Sequence, residues 1–167
     1  MFRINIFFLI LSCFYPAISL YALPSDSAQK IFIKADSGIY NYKTGINIYE
    51  GNVVVDQGST HILADKLITK KNANNVLELA TAYGIKKLAH YWTLQKEGDK
   101  PMHAYANYIR FYPISSNVTL EENVYVTQGE NSFRGKIIYY NNEQQTISVP
   151  PTKNARALIV YNPNSKA

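Results

Sequence analysis

From residue 31 onward the apolar side chains fall at every second position, in short pairs: Ile31 and Ile33, Ile46 and Ile48, Val53 and Val55, Leu77 and Leu79, Ile109 and Phe111, Val118 and Leu120, Val124 and Val126, Ile147 and Val149. A period of two belongs to extended strands with one dry and one wet face. No window of helical length carries a 3.6-residue spacing. The runs are divided by "YKTG", "KKNANN", "KEGDK", "PISSN" and "NNEQQ", which are turn compositions. The expected fold is all-β, with short antiparallel strands.

The alternation is itself repeated. "YEGNVVVDQG" at 49–58 returns 71 positions later as "LEENVYVTQG" at 120–129, with six of ten positions identical. Four further stretches, "ADSGIYNY" from Ala35, "ADKLITKK" from Ala64, "ANYIRFYP" from Ala106 and "GKIIYYNN" from Gly135, each begin with a small residue and then a polar one; their starts are separated by 29, 42 and 29 residues. The chain thus reads as two tandem copies, each a pair of hairpins. One hairpin cannot bury its own dry face, so neighbours must stack into a solenoid-like or jelly-roll sheet pair.

Residues 1–22 are different in kind: a short basic start, an apolar stretch broken by Pro16, and small residues ending at Ala22. That is the layout of a secretory signal peptide, leaving 23–167 as one exported domain. A retained membrane anchor is the competing reading, because Ile4 to Leu23 approaches the ~20 residues that span a bilayer. The only cysteine, Cys13, lies inside this segment, so the exported domain would contain no disulfide.

Catalytic chemistry is hard to find. His61, His90 and His103 show no metal-ligand spacing, no serine sits in a nucleophile-elbow sequence, and Asp36 and Asp65 each open a strand, where a carboxylate usually caps turn N–H groups. No enzymatic activity, cofactor or metal is expected. The net charge of +5 is spread over lysine pairs such as Lys70 and Lys71, which read as solubilising charge and not as a nucleic-acid arm. His90, Tyr91 and Trp92 form an aromatic cluster that either lines an interior groove or plugs one end.

Taken together, "IKADSGIYNYKTGINIYEGNVVVDQGSTHILADKL", "AYGIKKLAHY", "KPMHAYANYIRFY" and "LEENVYVTQGENSFRGKIIYY" resemble the OstA (LptA-type) family of periplasmic lipopolysaccharide transport proteins, over about residues 29–162. "FRGKI" departs from the family pattern by lacking an acidic residue. The resemblance implies a folded-over, V-shaped β-jelly roll with an apolar groove for the acyl chains of lipid A, although the alternation alone fits a sealed core too. The alternating residues expected to line the groove are Ile31, Ile33, Ile48, Val53, Val55, Leu79, Phe111, Leu120, Val124, Val126 and Phe133, with Lys34, Asn47 and Arg110 facing outward. The resemblance further implies head-to-tail copies docking on LptC-like inner-membrane and LptD-like outer-membrane partners. The expected joint is the edge strand "RALIVY", with Arg156, Leu158, Ile159, Val160 and Tyr161, its apolar stripe continuing through Leu158 and Val160. Within the same pathway a membrane-anchored, LptC-type subunit is the alternative; a polysaccharide-binding β-solenoid module is the alternative of a different class.

Overall fold

The computed structural model describes residues 28–94, 98–153 and 156–163, so the expected export segment lies outside the described residues. The described chain is built of antiparallel strands: β1 (Phe32–Lys34), β2 (Ser37–Tyr40), β3 (Ile46–Gln57), β4 (Thr60–Lys71), β5 (Leu77–Tyr83), β6 (Ala89–Thr93), β7 (Met102–Ala106), β8 (Tyr108–Tyr112), β9 (Asn117–Gln128), β10 (Asn131–Asn141), β11 (Thr146–Ser148) and β12 (Leu158–Val160).

The four long strands β3, β4, β9 and β10 each change partner half-way. β3 pairs with β2 near its start and with β1 near its end; β4 pairs with β6 and then β5; β9 with β8 and then β7; β10 with β12 and then β11. The result is two stacked layers joined through those strands, a folded-over β-jelly roll. The first layer runs β1, β3, β4, β6, β7, β9, β10, β12; the second runs β2, β3, β4, β5, β8, β9, β10, β11.

The crease between the layers is written into the repeat. The β3–β4 register slips between Glu50 and Val53, where Gly51 and Asn52 adopt φ of +79° and +46°. In the second copy Glu122 and Asn123 adopt +61° and +55°. Left-handed backbone costs little for Gly and is tolerated by Asn, and it lets a strand bend sharply without ending. The small-then-polar starts hold both bends. The Asp36 N–H donates to Gly51 O at 2.9 Å, and Asn52 Nδ2 donates to the Asp36 carboxylate at 2.8 Å. Seventy-one residues on, the Asn107 N–H donates to Glu122 O at 2.9 Å, and Asn123 Nδ2 donates to Asn107 Oδ1 at 2.6 Å. Asp65 accepts the N–H groups of Ile85 and Lys86 at 2.7 and 2.6 Å, and these donors, Lys86 foremost, hold its carboxyl below the usual range. Asp65 thus caps turn N–H groups as expected, whereas the Asp36 carboxylate holds the side-chain amide of Asn52 instead.

Paired residues share a face, so the register gives the interior directly. One inner row crosses the first layer through Ile33, Val55, Ile62, Tyr91, Ala104, Val126, Phe133 and Ile159. Another crosses the second layer through Tyr40, Asn47, Thr69, Ala80, Phe111, Val118, Tyr140 and Ile147. A third, Tyr49, Leu67, Ala82, Ile109, Leu120 and Ile138, runs beside the crease. The middle of these rows is the core: Tyr91, Ala104, Ile109, Leu120, Val126 and Ile138 are almost wholly buried.

Candidate functional site

The space between the layers is filled in the middle and open at the β1/β2 edge. There a cavity of about 200 Å³ is bounded by Ile31, Ile33, Val55 and Ile62 on the first-layer side and by Tyr49, Leu67, Leu77, Ala80 and Phe111 on the other, with Tyr40, Asn47, Thr69, Lys71, Gln57 and Thr60 at its margins. Its wall is chiefly aliphatic and aromatic. The polar margin is ordered: Asn47 Nδ2 donates to Thr69 Oγ1 at 3.2 Å, and Lys71 Nζ donates to Tyr40 Oη at 2.9 Å. Burial, followed by the Tyr40 hydroxyl, pushes the Tyr49 phenol above its ordinary value, so it is a neutral lining group.

The residues expected to line a groove therefore divide by position. Ile31, Ile33, Val55 and Phe111 border the cavity. Val53, Leu120, Val124 and Val126 are inward but lie in the packed core, and Phe133 packs half-buried against it. Ile48 and Leu79 are on the outer face: Ile48 pairs with Ile39 and Ile68, and Leu79 pairs with Lys70. The physical reason is the parity of their strands. The crease bulge spans two residues, so the inward set of β3 stays on odd numbers, and in β5 the slip between Lys70 and Lys71 turns Ala80 and Ala82 inward in place of Leu79. Asn47, expected outward, is inward for the same reason. Arg110 does face outward, where it hydrogen-bonds Glu121.

The aromatic cluster splits between the faces. Tyr91 belongs to the core row, whereas His90 and Trp92 lie on the outside of the first layer. They form part of a stacked ladder: His61 on Trp92 at 4.8 Å, Trp92 on His90 at 4.6 Å, His90 on Tyr105 at 4.3 Å, Tyr105 on Tyr125 at 6.3 Å, with Arg134 4.0 Å over Tyr125. Burial, and then the neighbouring His103, pushes the His90 imidazole down to about 4, and the two rings share a 3.0 Å hydrogen bond. These rings face each other, so the ladder braces the sheet. A second, larger cleft of about 390 Å³ lies by the β8–β9 turn and is of mixed character, bordered by Tyr112, Val118, Tyr139 and Tyr140 together with hydroxyl and amide groups such as Ser115, Asn117, Thr119, Asn141 and Ser148. Among the described residues no cluster of three or more metal-ligating side chains occurs.

Residues 32–146 match the family described as LptA/(LptD N-terminal domain) LPS transport protein. The chain belongs to this family. Among individual relatives of this LptA-type chain, the lipopolysaccharide export system protein LptH of Pseudomonas aeruginosa is 33% identical over 127 residues, covering 76% of this chain and 71% of its own. The lipopolysaccharide export system protein LptA of Escherichia coli K12 is 28% identical over 149 residues, 89% and 79% of the two chains. The crystal structure of LptH, the LptA homologous periplasmic component of the lipopolysaccharide transport device of Pseudomonas aeruginosa, superposes with a TM-score of 0.77 at 29% identity, covering 84% of this chain and all of that one.

Within this LptA-type fold, sequence reasoning missed the wall residues Tyr49, Ile62, Leu67, Leu77 and Ala80 and the polar margin of Tyr40, Asn47, Gln57, Thr60, Thr69 and Lys71. Asn47, Thr69 and Lys71 lie on inward positions of β3 and β4, the strands that meet at the crease bulge. The duplicated "E-G-N" and "E-E-N" steps were the available signal, because each places two left-handed residues in mid-strand.

Proposed function

We propose that the chain is a non-enzymatic periplasmic carrier, which shields the acyl chains of lipopolysaccharide between the layers and serves as one link in a bridge from inner to outer membrane. The observation that carries this reading is the aliphatic cavity open at the β1/β2 edge and continuous with the inner rows. Each methylene moved from water into such a wall contributes about 0.8 kcal/mol, which favours chains without fixing them chemically. Loading beyond the cavity requires the two layers to part, so that the lipid replaces contacts now made around Val53, Leu120, Val124, Val126 and Phe133. Residues 1–22 are proposed to be removed on export, leaving a single domain from 23 to 167.

Both edges of the roll support the bridge. β1 and β2 close one edge and β11 and β12 the other, and each of these strands has one unpaired side within the described chain. The edges are apolar as well as open: Phe32 is 60% exposed and Ile159 56%. Such strands invite addition of another strand, from a second copy or from LptC-like and LptD-like partners. Only Leu158–Val160 of the expected "RALIVY" segment forms strand, and the interior row continues through Ile159, opposite Phe133; Leu158 and Val160 pair with Arg134 and Ser132 on the outer face.

The test is photo-crosslinking in cells. A photoreactive residue at Ile33, Val55 or Phe111 should label lipopolysaccharide, whereas one at Ile48 or Leu79 should not. Equal labelling from both faces would defeat the carrier reading.

A further inference from the structure

The geometry points to Lys71 as the binding group for the phosphate head of an amphiphile whose chain occupies the β1/β2-edge cavity; this rests on the carrier reading and adds a polar subsite to it. Along the inward face of β4 the side chains run Leu67, Thr69, Lys71, from dry to neutral polar to cationic. The facing strand β3 grades the same way, from Tyr49 to Asn47, and Asn47 is hydrogen-bonded to Thr69. A wall that changes character in this order matches a molecule with an apolar tail and an anionic head. Among the described residues Lys71 is the only charged one bordering the cavity.

Among the described residues the ammonium has no counter-charge. Its nitrogen donates to Tyr40 Oη at 2.9 Å and Asn75 Oδ1 at 3.2 Å, both neutral, and lies 5.5 Å from the centre of the Tyr40 ring. Its neighbours on the outer face are paired: Lys70 with Glu78 at 3.3 Å and Lys66 with Glu50 at 2.7 Å. Among the described residues no carboxylate forms an ion pair with Lys71. The stem is held in place too. The Lys71 N–H donates to Gly45 O at 3.0 Å, and Gly45, at φ +68°, packs so closely that a Cβ there would lie 3.3 Å from Lys71 Cβ. A pre-positioned ammonium at the accessible margin of the cavity, with neutral partners, gains most from a phosphate, through short charge-assisted hydrogen bonds. The second copy carries Asn142 at the position 71 residues on, so the cation belongs to one end of the roll only.

Calorimetry on the full mature chain, below the micelle threshold, separates the possibilities. Dodecyl phosphate, dodecyl maltoside and inorganic phosphate are the probes; Lys71→Met keeps most of the stem and Lys71→Arg keeps the charge. We expect dodecyl phosphate to bind about tenfold more tightly than dodecyl maltoside, as a hydrogen bond to a charged group allows. Lys71→Met should abolish that preference without weakening dodecyl maltoside, Lys71→Arg should retain it, and inorganic phosphate should not compete. A wild-type chain that binds both amphiphiles equally, or a Lys71→Met variant that keeps the preference, overturns the phosphate site and leaves the carrier reading standing. Competition by inorganic phosphate as strong as that of dodecyl phosphate makes Lys71 a free-anion site and overturns the head-group assignment. Failure of the wild-type chain to bind either amphiphile overturns both readings. The wild-type preference can be measured without any variant, so poor folding of Lys71→Met does not protect the inference.

Discussion

Truncating Leu120 and Phe111 to alanine should have opposite consequences to those their sizes suggest. Leu120 has no exposed surface and sits in its row between Ile109 and Ile138, which are equally buried. Removing its isopropyl group leaves a hole that two sheet layers cannot collapse around, which places the cost near the upper half of the usual range, at about 4 kcal/mol. Phe111 is larger but only half-buried, and one side of its ring already faces the edge cavity. Its removal enlarges an opening that water can enter, so fewer packing contacts are forfeited and the cost should be about 1 to 2 kcal/mol. With a urea slope of about 2 kcal/mol per molar for a domain of this size, the unfolding midpoint should fall by about 2 M for Leu120→Ala and by less than about 1 M for Phe111→Ala. Urea titration followed by far-ultraviolet circular dichroism reads both. Equal midpoint shifts, or a larger one for Phe111→Ala, would show that the interior is sealed to its edge and that the cavity is not a feature of the folded protein in solution.

Gly84→Ala should destabilise by about 1 to 3 kcal/mol as an overpacked site, because a Cβ there would come within 2.3 Å of the Ala89 nitrogen and 2.5 Å of Lys87 O; thermal melting checks it. His90 has a folded-state value near 4 against an ordinary 6.5, so the unfolded chain takes up that proton first as pH falls. Its contribution is complete above about pH 6.5 and is lost progressively toward pH 4; since the ring is half exposed, the loss should be about 1 kcal/mol. His90→Phe, which keeps a ring between Trp92 and Tyr105, should flatten stability across that interval, and an unchanged pH profile would show that burial does not hold the imidazole neutral.

The fold was legible because strand alternation and the 71-residue offset are local facts of the chain. Val53, Val55, Ile109, Phe111, Leu120, Val124 and Val126 are all inward, as their spacing implies. What the spacing of short pairs could not show is which pair faces inward. Ile46 and Ile48 alternate as cleanly as Val53 and Val55, but the inward set of β3 is odd-numbered on both sides of the Gly51–Asn52 bend, so the two isoleucines face outward, and Leu79 loses its place to Ala80 through one slip at Lys70. Polarity misled in the same places: Asn47 and Lys71 look like surface residues until hydrogen bonds from neighbouring strands put them at a cavity margin. The division of the interior into a packed middle and an open edge depends on contacts between the two layers, which no single strand encodes.

The duplication also predicts how one copy should meet the next. Within the chain the first copy ends in β5 and β6, the second begins with β7 and β8, and these are joined by β5–β8 and β6–β7 pairing. Each inner row is a four-residue unit used twice: Ile33, Val55, Ile62 and Tyr91 correspond to Ala104, Val126, Phe133 and Ile159, while Tyr40, Asn47, Thr69 and Ala80 correspond to Phe111, Val118, Tyr140 and Ile147. At the internal junction Tyr91 faces Ala104 and Ala80 faces Phe111. If one molecule follows another by the same rule, Ile159 faces Ile33 of the next copy and Ile147 faces its Tyr40, and both rows run on without a break. Directly opposed residues of antiparallel strands have Cβ atoms about 4.5 to 5.5 Å apart, close enough for a disulfide after slight adjustment. The only native cysteine is Cys13. A mature chain carrying both Ile33→Cys and Ile159→Cys should therefore form a ladder of disulfide-linked multimers under mild oxidation. Moving the second cysteine to Leu158, on the other face, should give few cross-links, and deleting residues 156–167 from the otherwise native chain should leave a folded monomer by light scattering. A joint of this kind would be head-to-tail and so open-ended, which would make its extent depend on concentration. A ladder equally strong from Leu158, or multimers persisting after the deletion, would mean that copies do not reuse the internal junction.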